Sequence, residues 1–220
     1  MDGNFQKSRR EMVKIIREDY GFKDERVLEV LLKVPRHEFV PKKSRNIAHD
    51  DTPVDIGYGQ TMSQPYTVAE MTNLLIAKSE KLKAERVLEV GTGSGYQAAI
   101  LSHFFDEVYT VEVIPQLSHL ARNNLSRLGY KNVFTKLGSG EWGWKKHAPF
   151  DAIIVTAGVD KVPQELFEQL KVRGILVAPV GKGYDKTMTR YTKIKKLRKE
   201  EMKKEEFGTF HFVPFVKEKR

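Results

Sequence analysis

The ten residues Val87-Leu88-Glu89-Val90-Gly91-Thr92-Gly93-Ser94-Gly95-Tyr96 constrain this chain more than any other stretch. The apolar, β-branched run at its start reads as a buried parallel strand. Three glycines then fall at alternate positions, and Gln97, Ala98, Ala99, Ile100, Leu101 and Phe104 suit a helix. Strand, glycine turn and helix form the opening unit of a nucleotide-binding α/β sheet. Glycine turns the chain tightly and lets a ligand approach where a Cβ would intrude. The N–H groups at the start of the following helix offer partners to an anionic group.

The glycine spacing narrows the ligand. A dinucleotide fingerprint, G-x-G-x-x-G, needs a glycine where this chain has Tyr96. A dinucleotide site and a plain connecting turn both stay open on the glycines alone. The pattern E-x-G-x-G-x-G, led by Glu89, resembles motif I of the methyltransferases that use S-adenosylmethionine. That resemblance implies a loop of Gly91, Thr92, Gly93 and Ser94 around the methionine end of the cofactor, with Glu89 near its ammonium group. Glu112 stands 21 residues after Gly91 at the end of the next apolar run. An acid at about that distance accepts hydrogen bonds from ribose hydroxyls, unless it is only a solvated charge at a strand end.

The rest of the chain alternates in the same style. Apolar strands are expected at 87–90, 108–111, 132–137, 150–156 and 175–180. Helices are expected at 5–20, from Asp24 to Pro35, at 65–77, at 115–128 and from Val162 through Leu170 to a stop at Gly174. This alternation predicts an α/β, Rossmann-like fold with a mostly parallel, doubly wound sheet and right-handed crossovers. The period changes near the end, where strands at 187–195 and 207–216 flank a charged turn at Glu200 and Glu201. They predict an antiparallel C-terminal edge. Residues 42–64 read as one long irregular loop, of a length that is usually functional or disordered. The expected division is one methyltransferase domain: N-terminal helices and substrate loop over 1–83, cofactor core over 84–181, and a hairpin over 182–220. At 220 residues the chain can bury a sizeable core.

Composition excludes several chemistries. With no cysteine there is no disulfide, no thiolate metal site and no cysteine nucleophile. No histidine spacing suggests a metal, and His49-Asp50-Asp51 reads as a solvated loop. Residues 1–10 carry no apolar segment of a signal peptide, and no run approaches the ~20 residues of a membrane span. A cytoplasmic location without membrane attachment is therefore expected. The net charge of +9 fits nucleic acid, anionic substrates or solubility alone. The stretch after the 150–156 strand, Val155-Thr156-Ala157-Gly158, lacks the D/N-P-P-Y/F pattern typical of amino-group methylation of bases.

Several further pieces, in order, carry a closer resemblance. Gln60-Thr61-Met62-Ser63-Gln64-Pro65-Tyr66 is similar to the Q-T-I-S-x-P signature of the protein-L-isoaspartate O-methyltransferase family. Pro35-Arg36-His37-Glu38-Phe39-Val40-Pro41, Pro149-Phe150-Asp151-Ala152-Ile153-Ile154-Val155-Thr156-Ala157, Gly174-Ile175-Leu176-Val177-Ala178-Pro179-Val180-Gly181 and Phe212-Val213-Pro214-Phe215-Val216 agree with it as well. The resemblance implies methyl transfer from S-adenosylmethionine to the free α-carboxylate of L-isoaspartyl residues in damaged proteins and peptides, with S-adenosylhomocysteine as product. The ester then closes to a succinimide that hydrolyses partly to aspartate. No metal is implied, and nucleic acid is not the expected partner. The other reading is a methyltransferase that acts on RNA or another acceptor, with the basic tail on phosphates.

The resemblance also implies roles. Ser63 is the active-site residue, with Thr61 beside it. A carboxylate nucleophile is already ionised at neutral pH, so the site must aim one oxygen rather than remove a proton. From spacing alone Ser63 is equally a helix N-cap before Pro65. Asp55, Ile56, Gln60 and Val213 are expected to shape the acceptor site. Val113, Gly140 and Thr156 complete the cofactor set. One departure stands out: the family's G-D-G reads Gly138-Ser139-Gly140 here, so a neutral Ser139 is left to meet the adenine amino group, unless Glu141 replaces the acid by a loop shift or Trp142 or Trp144 holds the base.

Overall fold

The computed structural model describes residues 2–77, 84–195 and 201–216. Two helices open the chain, α1 (Asp2–Glu18) and α2 (Glu25–Lys33). Asp24 caps α2 as expected, its carboxylate accepting from the N–H groups of Arg26 and Val27. Two short 3₁₀ turns follow, at Arg36–Phe39 and Lys42–Ile47.

Residues 42–64 are not one irregular loop. Within them lies an antiparallel hairpin, β1 (Val54–Gly57) and β2 (Gln60–Met62). Tyr58 occupies its turn at φ 57, a left-handed position for which tyrosine is no sequence signal. Helix α3 (Pro65–Ile76) leaves the hairpin with Pro65 in its first turn.

The core then alternates through β3 (Ala84–Val90), α4 (Tyr96–Leu101), β4 (Phe105–Glu112), α5 (Pro115–Arg127), β5 (Val133–Leu137), β6 (Phe150–Val155), α6 (Gln164–Glu168) and β7 (Leu170–Val180). Strands β8 (Asp185–Lys195) and β9 (Glu201–His211) finish the sheet. The order is β5-β4-β3-β6-β7-β8-β9, parallel from β5 to β7 and antiparallel beyond. The order reverses beside β3, so the crevice at its carboxyl end is the place where α/β sheets bind ligands. Residues alternate between the two faces. Val87 and Val108 join the core under α3, α4 and α5, while Leu88 and Val90 join a second core under α6.

Three expectations need correction. Helix α6 ends at Glu168, and Leu170 pairs with Phe150 in the sheet. Gly174 therefore does not close a helix. It sits in β7, where a Cβ would come within 2.8 Å of the Lys171 carbonyl. Strand β9 begins at Glu201 and stops at His211, and its Gly208, at φ 54, forms a bulge opposite Thr187 and Met188. Residues 212–216 lie beyond the ladder, whose terminal pair joins His211 to Asp185, the first residue of β8. They cross instead to the loop after β6, where Gly158 N–H donates to Val213 O (2.9 Å) and Phe215 N–H to Gly158 O (3.0 Å). The turn expected at Glu200 lies outside the described residues. No described helix is long and apolar enough to cross a membrane.

Candidate active site

The glycine loop is held from three sides. Gly93 N–H donates to Glu112 Oε2 at 2.8 Å, Asn124 Nδ2 to Ser94 O at 3.1 Å, and Thr156 Oγ1 to Gly91 O at 2.6 Å. Gly91 has φ 101, and a Cβ there would lie 2.5 Å from Thr156 Oγ1. The loop is thus pressed against the end of β6 as closely as glycine allows. Gly140 is equally constrained, since its Cβ would meet Val90 Cγ1 and Phe215.

A cleft opens over this loop. Gly91, Thr92, Gly93, Ser94, Glu112, Val113, Gly140 and Thr156 all line it, and Phe215 closes one side. Glu112 is 6% exposed, and its other oxygen accepts from Ile114 N–H at 3.0 Å. A carboxylate oxygen has two acceptor sites, so Glu112 can hold the loop and still receive a hydroxyl. A polar glycine loop with an acid at the next strand end fits the methionine and ribose parts of S-adenosylmethionine.

Two expected cofactor residues are elsewhere. Glu89 has no exposed surface and lies beneath the loop, not in the cleft. Its Oε2 accepts from Thr110 Oγ1 at 2.5 Å, and the Thr110 and Thr92 hydroxyls are 2.6 Å apart. Its other oxygen has no partner among the described residues. Burial, opposed by the Thr110 hydrogen bond and reinforced by the Glu112 charge, pushes its pKa up from 4.5 to about 8. Ser139 is 3% exposed and spends its hydroxyl as the cap of the 3₁₀ turn Gly140–Trp142, accepting from Glu141 N–H at 3.4 Å. Neither Trp142 nor Trp144 lines the cleft. Ile114 and Phe215 contribute apolar surface to the cleft.

The position of Glu89 has a consequence for stability. Its folded pKa lies above its unfolded one, so between about pH 4.5 and 8 the native state holds a proton that the unfolded chain has lost. Stability therefore falls as pH rises through that window and levels off above it. In Glu89→Gln the melting temperature should lose this slope, and the difference from the wild type should grow from pH 5 to pH 8. Parallel curves for the two proteins would contradict it.

A second cavity meets the cleft. This open groove runs between Tyr20, Tyr66 and residues 208–213. Tyr20 stacks on Tyr66 at 3.8 Å and Phe210 lies 6.1 Å beyond, giving the groove an aromatic wall. Cleft and groove share four residues, Thr61, Ser63, Thr156 and Val213. Ile56 and Gln60 line the cleft side. Asp55 lines neither cavity; it is exposed, and its carboxylate accepts from Gly57 N–H within the hairpin turn.

Ser63 is not the cap of α3. Gln64 occupies that position, and the N–H of Tyr66 donates instead to Asp51 Oδ1 at 2.9 Å. The Ser63 hydroxyl makes no hydrogen bond to a described residue, which leaves it available at the junction. His49-Asp50-Asp51 is likewise not a solvated loop. His49 is 4% exposed, and burial, together with the His37 charge, drops its pKa to about 3. Among the described residues no group of three His, Asp or Glu is placed to hold a metal.

The chain is similar to known proteins over most of its length. A family model described as protein-L-isoaspartate(D-aspartate) O-methyltransferase matches residues 7–220. A protein-L-isoaspartate O-methyltransferase of Geobacter metallireducens is 53% identical over 190 residues, 86% of this chain and 86% of its own. One from Dictyoglomus thermophilum is 44% identical over 210 residues, 96% and 91% of the two chains. A solved protein-L-isoaspartate O-methyltransferase superposes with a TM-score of 0.75 at 29% identity, covering 94% of this chain, which in turn spans 65% of that protein. A Plasmodium falciparum structure in complex with S-adenosyl-L-homocysteine shares the fold, with a TM-score of 0.80 at 24% identity over 94% of this chain and 98% of that one. With a glycine cleft, an acid at the next strand end and a relative that matches nearly end to end, the chain belongs to the protein-L-isoaspartate(D-aspartate) O-methyltransferase family.

Proposed function

We propose that methyl transfer to the α-carboxylate of L-isoaspartyl residues takes place where the cleft and the groove meet. The observation that carries this reading is the sharing of Thr61, Ser63, Thr156 and Val213 by the two cavities. A donor in the cleft and a peptide in the groove then touch at one point only.

S-adenosylmethionine, when bound, supplies an electrophilic methyl group on a sulfonium. The chain's own residues do the rest. Glu112 accepts from ribose hydroxyls and the Gly91–Gly95 backbone surrounds the methionine end. Ser63 donates its hydroxyl to one oxygen of the acceptor carboxylate and turns the other toward the methyl group, with Thr61 as a second donor. Holding the reacting atoms in near-attack geometry is the main lever available to a site that needs no proton transfer. Ile56 and the glycine loop close the cleft side; a Cβ at Gly93 would lie 3.3 Å from Ile56 Cδ1. Val213, tied to Gly158, offers extended backbone to a peptide lying in the groove. The partners are isoaspartyl proteins and peptides.

A crystal structure with S-adenosylhomocysteine and an isoaspartyl peptide tests this arrangement. The peptide should occupy the groove beside Tyr66 and Val213, with its α-carboxylate within hydrogen-bond distance of Ser63 Oγ. A peptide bound elsewhere, or a carboxylate held by a different side chain, would overturn it.

A further inference from the structure

We infer that Arg36, together with Asp51, is the positioning device that sets Ser63 for the reaction; this rests on the role given to Ser63 above. Arg36 has no exposed surface. Burying a guanidinium is costly unless its donors are satisfied. Here two of its three nitrogens are satisfied by backbone far away in sequence, while Nη1 has no hydrogen-bond partner among the described residues. Nε donates to Ala48 O and Nη2 to Ser63 O, each at 2.7 Å. The guanidinium carbon lies 4.8 Å above the ring of Tyr96, the first residue of α4 after the glycine loop. One rigid planar group thereby ties the Ser63 carbonyl to the loop at Ala48 and to the element that follows the cofactor loop.

Asp51 grips the same segment from its other end. Its Oδ1 accepts from Tyr66 N–H, and its Oδ2 accepts from Gln64 Nε2 and from Tyr20 O–H, both at 2.7 Å. The carbonyl of Ser63 and the N–H three residues later are thus each held by a charged side chain. Neither touches the hydroxyl. This arrangement fixes where Ser63 Oγ points without consuming its hydrogen-bonding capacity. A lysine at position 36 keeps the charge but not the planar fork, so it cannot reach both carbonyls with the same geometry.

The test is a double-mutant comparison of Arg36→Lys and Ser63→Ala. Single-turnover methyl transfer to an isoaspartyl peptide is measured for both single variants and their combination. S-adenosylhomocysteine affinity is measured beside it, all well below the melting temperature of each protein. Arg36→Lys should slow transfer roughly 10- to 100-fold, with affinity held within about twofold. In the Ser63→Ala background the same change should cost no more than about twofold, because the group it positions is gone. An equal loss in both backgrounds, or a normal rate in folded Arg36→Lys, overturns the inference. If Arg36→Lys does not fold, Asp51→Ala, at a partly exposed position, carries the same comparison. A wild-type rate in Ser63→Ala alone would instead overturn the role of Ser63 itself.

Discussion

Ser63→Ala should transfer methyl to an isoaspartyl peptide roughly 100-fold more slowly than the wild type in a single turnover, with S-adenosylmethionine affinity unchanged. The size of the effect follows from what the hydroxyl can and cannot do. Negative charge on the carboxylate disappears as the methyl bond forms, so a donor that merely stabilises the anion works against the reaction. The gain has to come from orientation, where a misplacement of about 1 Å costs about 100-fold. The loss should therefore fall on kcat and on kcat/KM alike, the mark of an interaction made in the transition state. Stability should move by no more than ~0.5 kcal/mol, because Asp51 and not Ser63 holds the N–H of Tyr66. A drop in melting temperature with undiminished transfer would restore the helix-cap role and remove the catalytic one.

The same geometry predicts discrimination between isomers, and its effect is the largest of all. In an isoaspartyl residue the free carboxylate is attached directly to Cα, whereas in aspartate it is one methylene further out. That displacement is about one carbon–carbon bond, ~1.5 Å. The junction is narrow, bounded by Thr61, Ser63, Thr156 and Val213, and its elements are pinned. Arg36 holds Ser63, Thr156 hydrogen-bonds Gly91, and Gly158 holds Val213. A rigid site cannot follow a carboxylate shifted by a bond length, so charge alone earns no turnover. The aspartyl isomer should react at least ~100-fold more slowly, through position rather than affinity.

Much of this site is legible in the sequence, and what is not has physical reasons. Alternating strands and helices, the glycine turn and Glu112 emerge from local patterns: apolar period, backbone freedom and a fixed spacing. Ser63, Thr61 and Val213 came from a family resemblance, and the structure places them together. Glu89 lies beneath the glycine loop and does not line the cleft. Motif matching sends it toward the ligand, yet strand alternation puts Leu88 and Val90 on one face of the sheet and Glu89 on the other. Glu89 is instead taken up beneath the loop, where its Oε2 accepts from the Thr110 hydroxyl. Ser139 fails differently: its hydroxyl competes for a nearby N–H and caps a turn.

Long-range effects account for the remaining gaps. Arg36 looks like any surface arginine, because the carbonyls that accept from it lie 12 and 27 residues away. Leu170 suits a helix or a strand, and only its pairing with Phe150 decides. The hairpin at Tyr58 escapes notice although Gly57 and Gly59 flank the turn in left-handed conformations, because its strands have only four and three residues and show no period. Phe215 reads as part of an edge strand and becomes a wall of the cleft because the chain leaves β9 at His211 and pairs with Gly158 instead.

Methyl transfer to one carboxylate, in one position, on damaged protein can be measured directly. The measurement incubates the chain with methyl-labelled S-adenosylmethionine and a matched pair of peptides, one isoaspartyl and one aspartyl, with RNA as a third acceptor. Label should appear on the isoaspartyl peptide alone, released by mild base as a carboxyl ester should be. Equal labelling of the two peptides, a base-stable product, or label on RNA would contradict it.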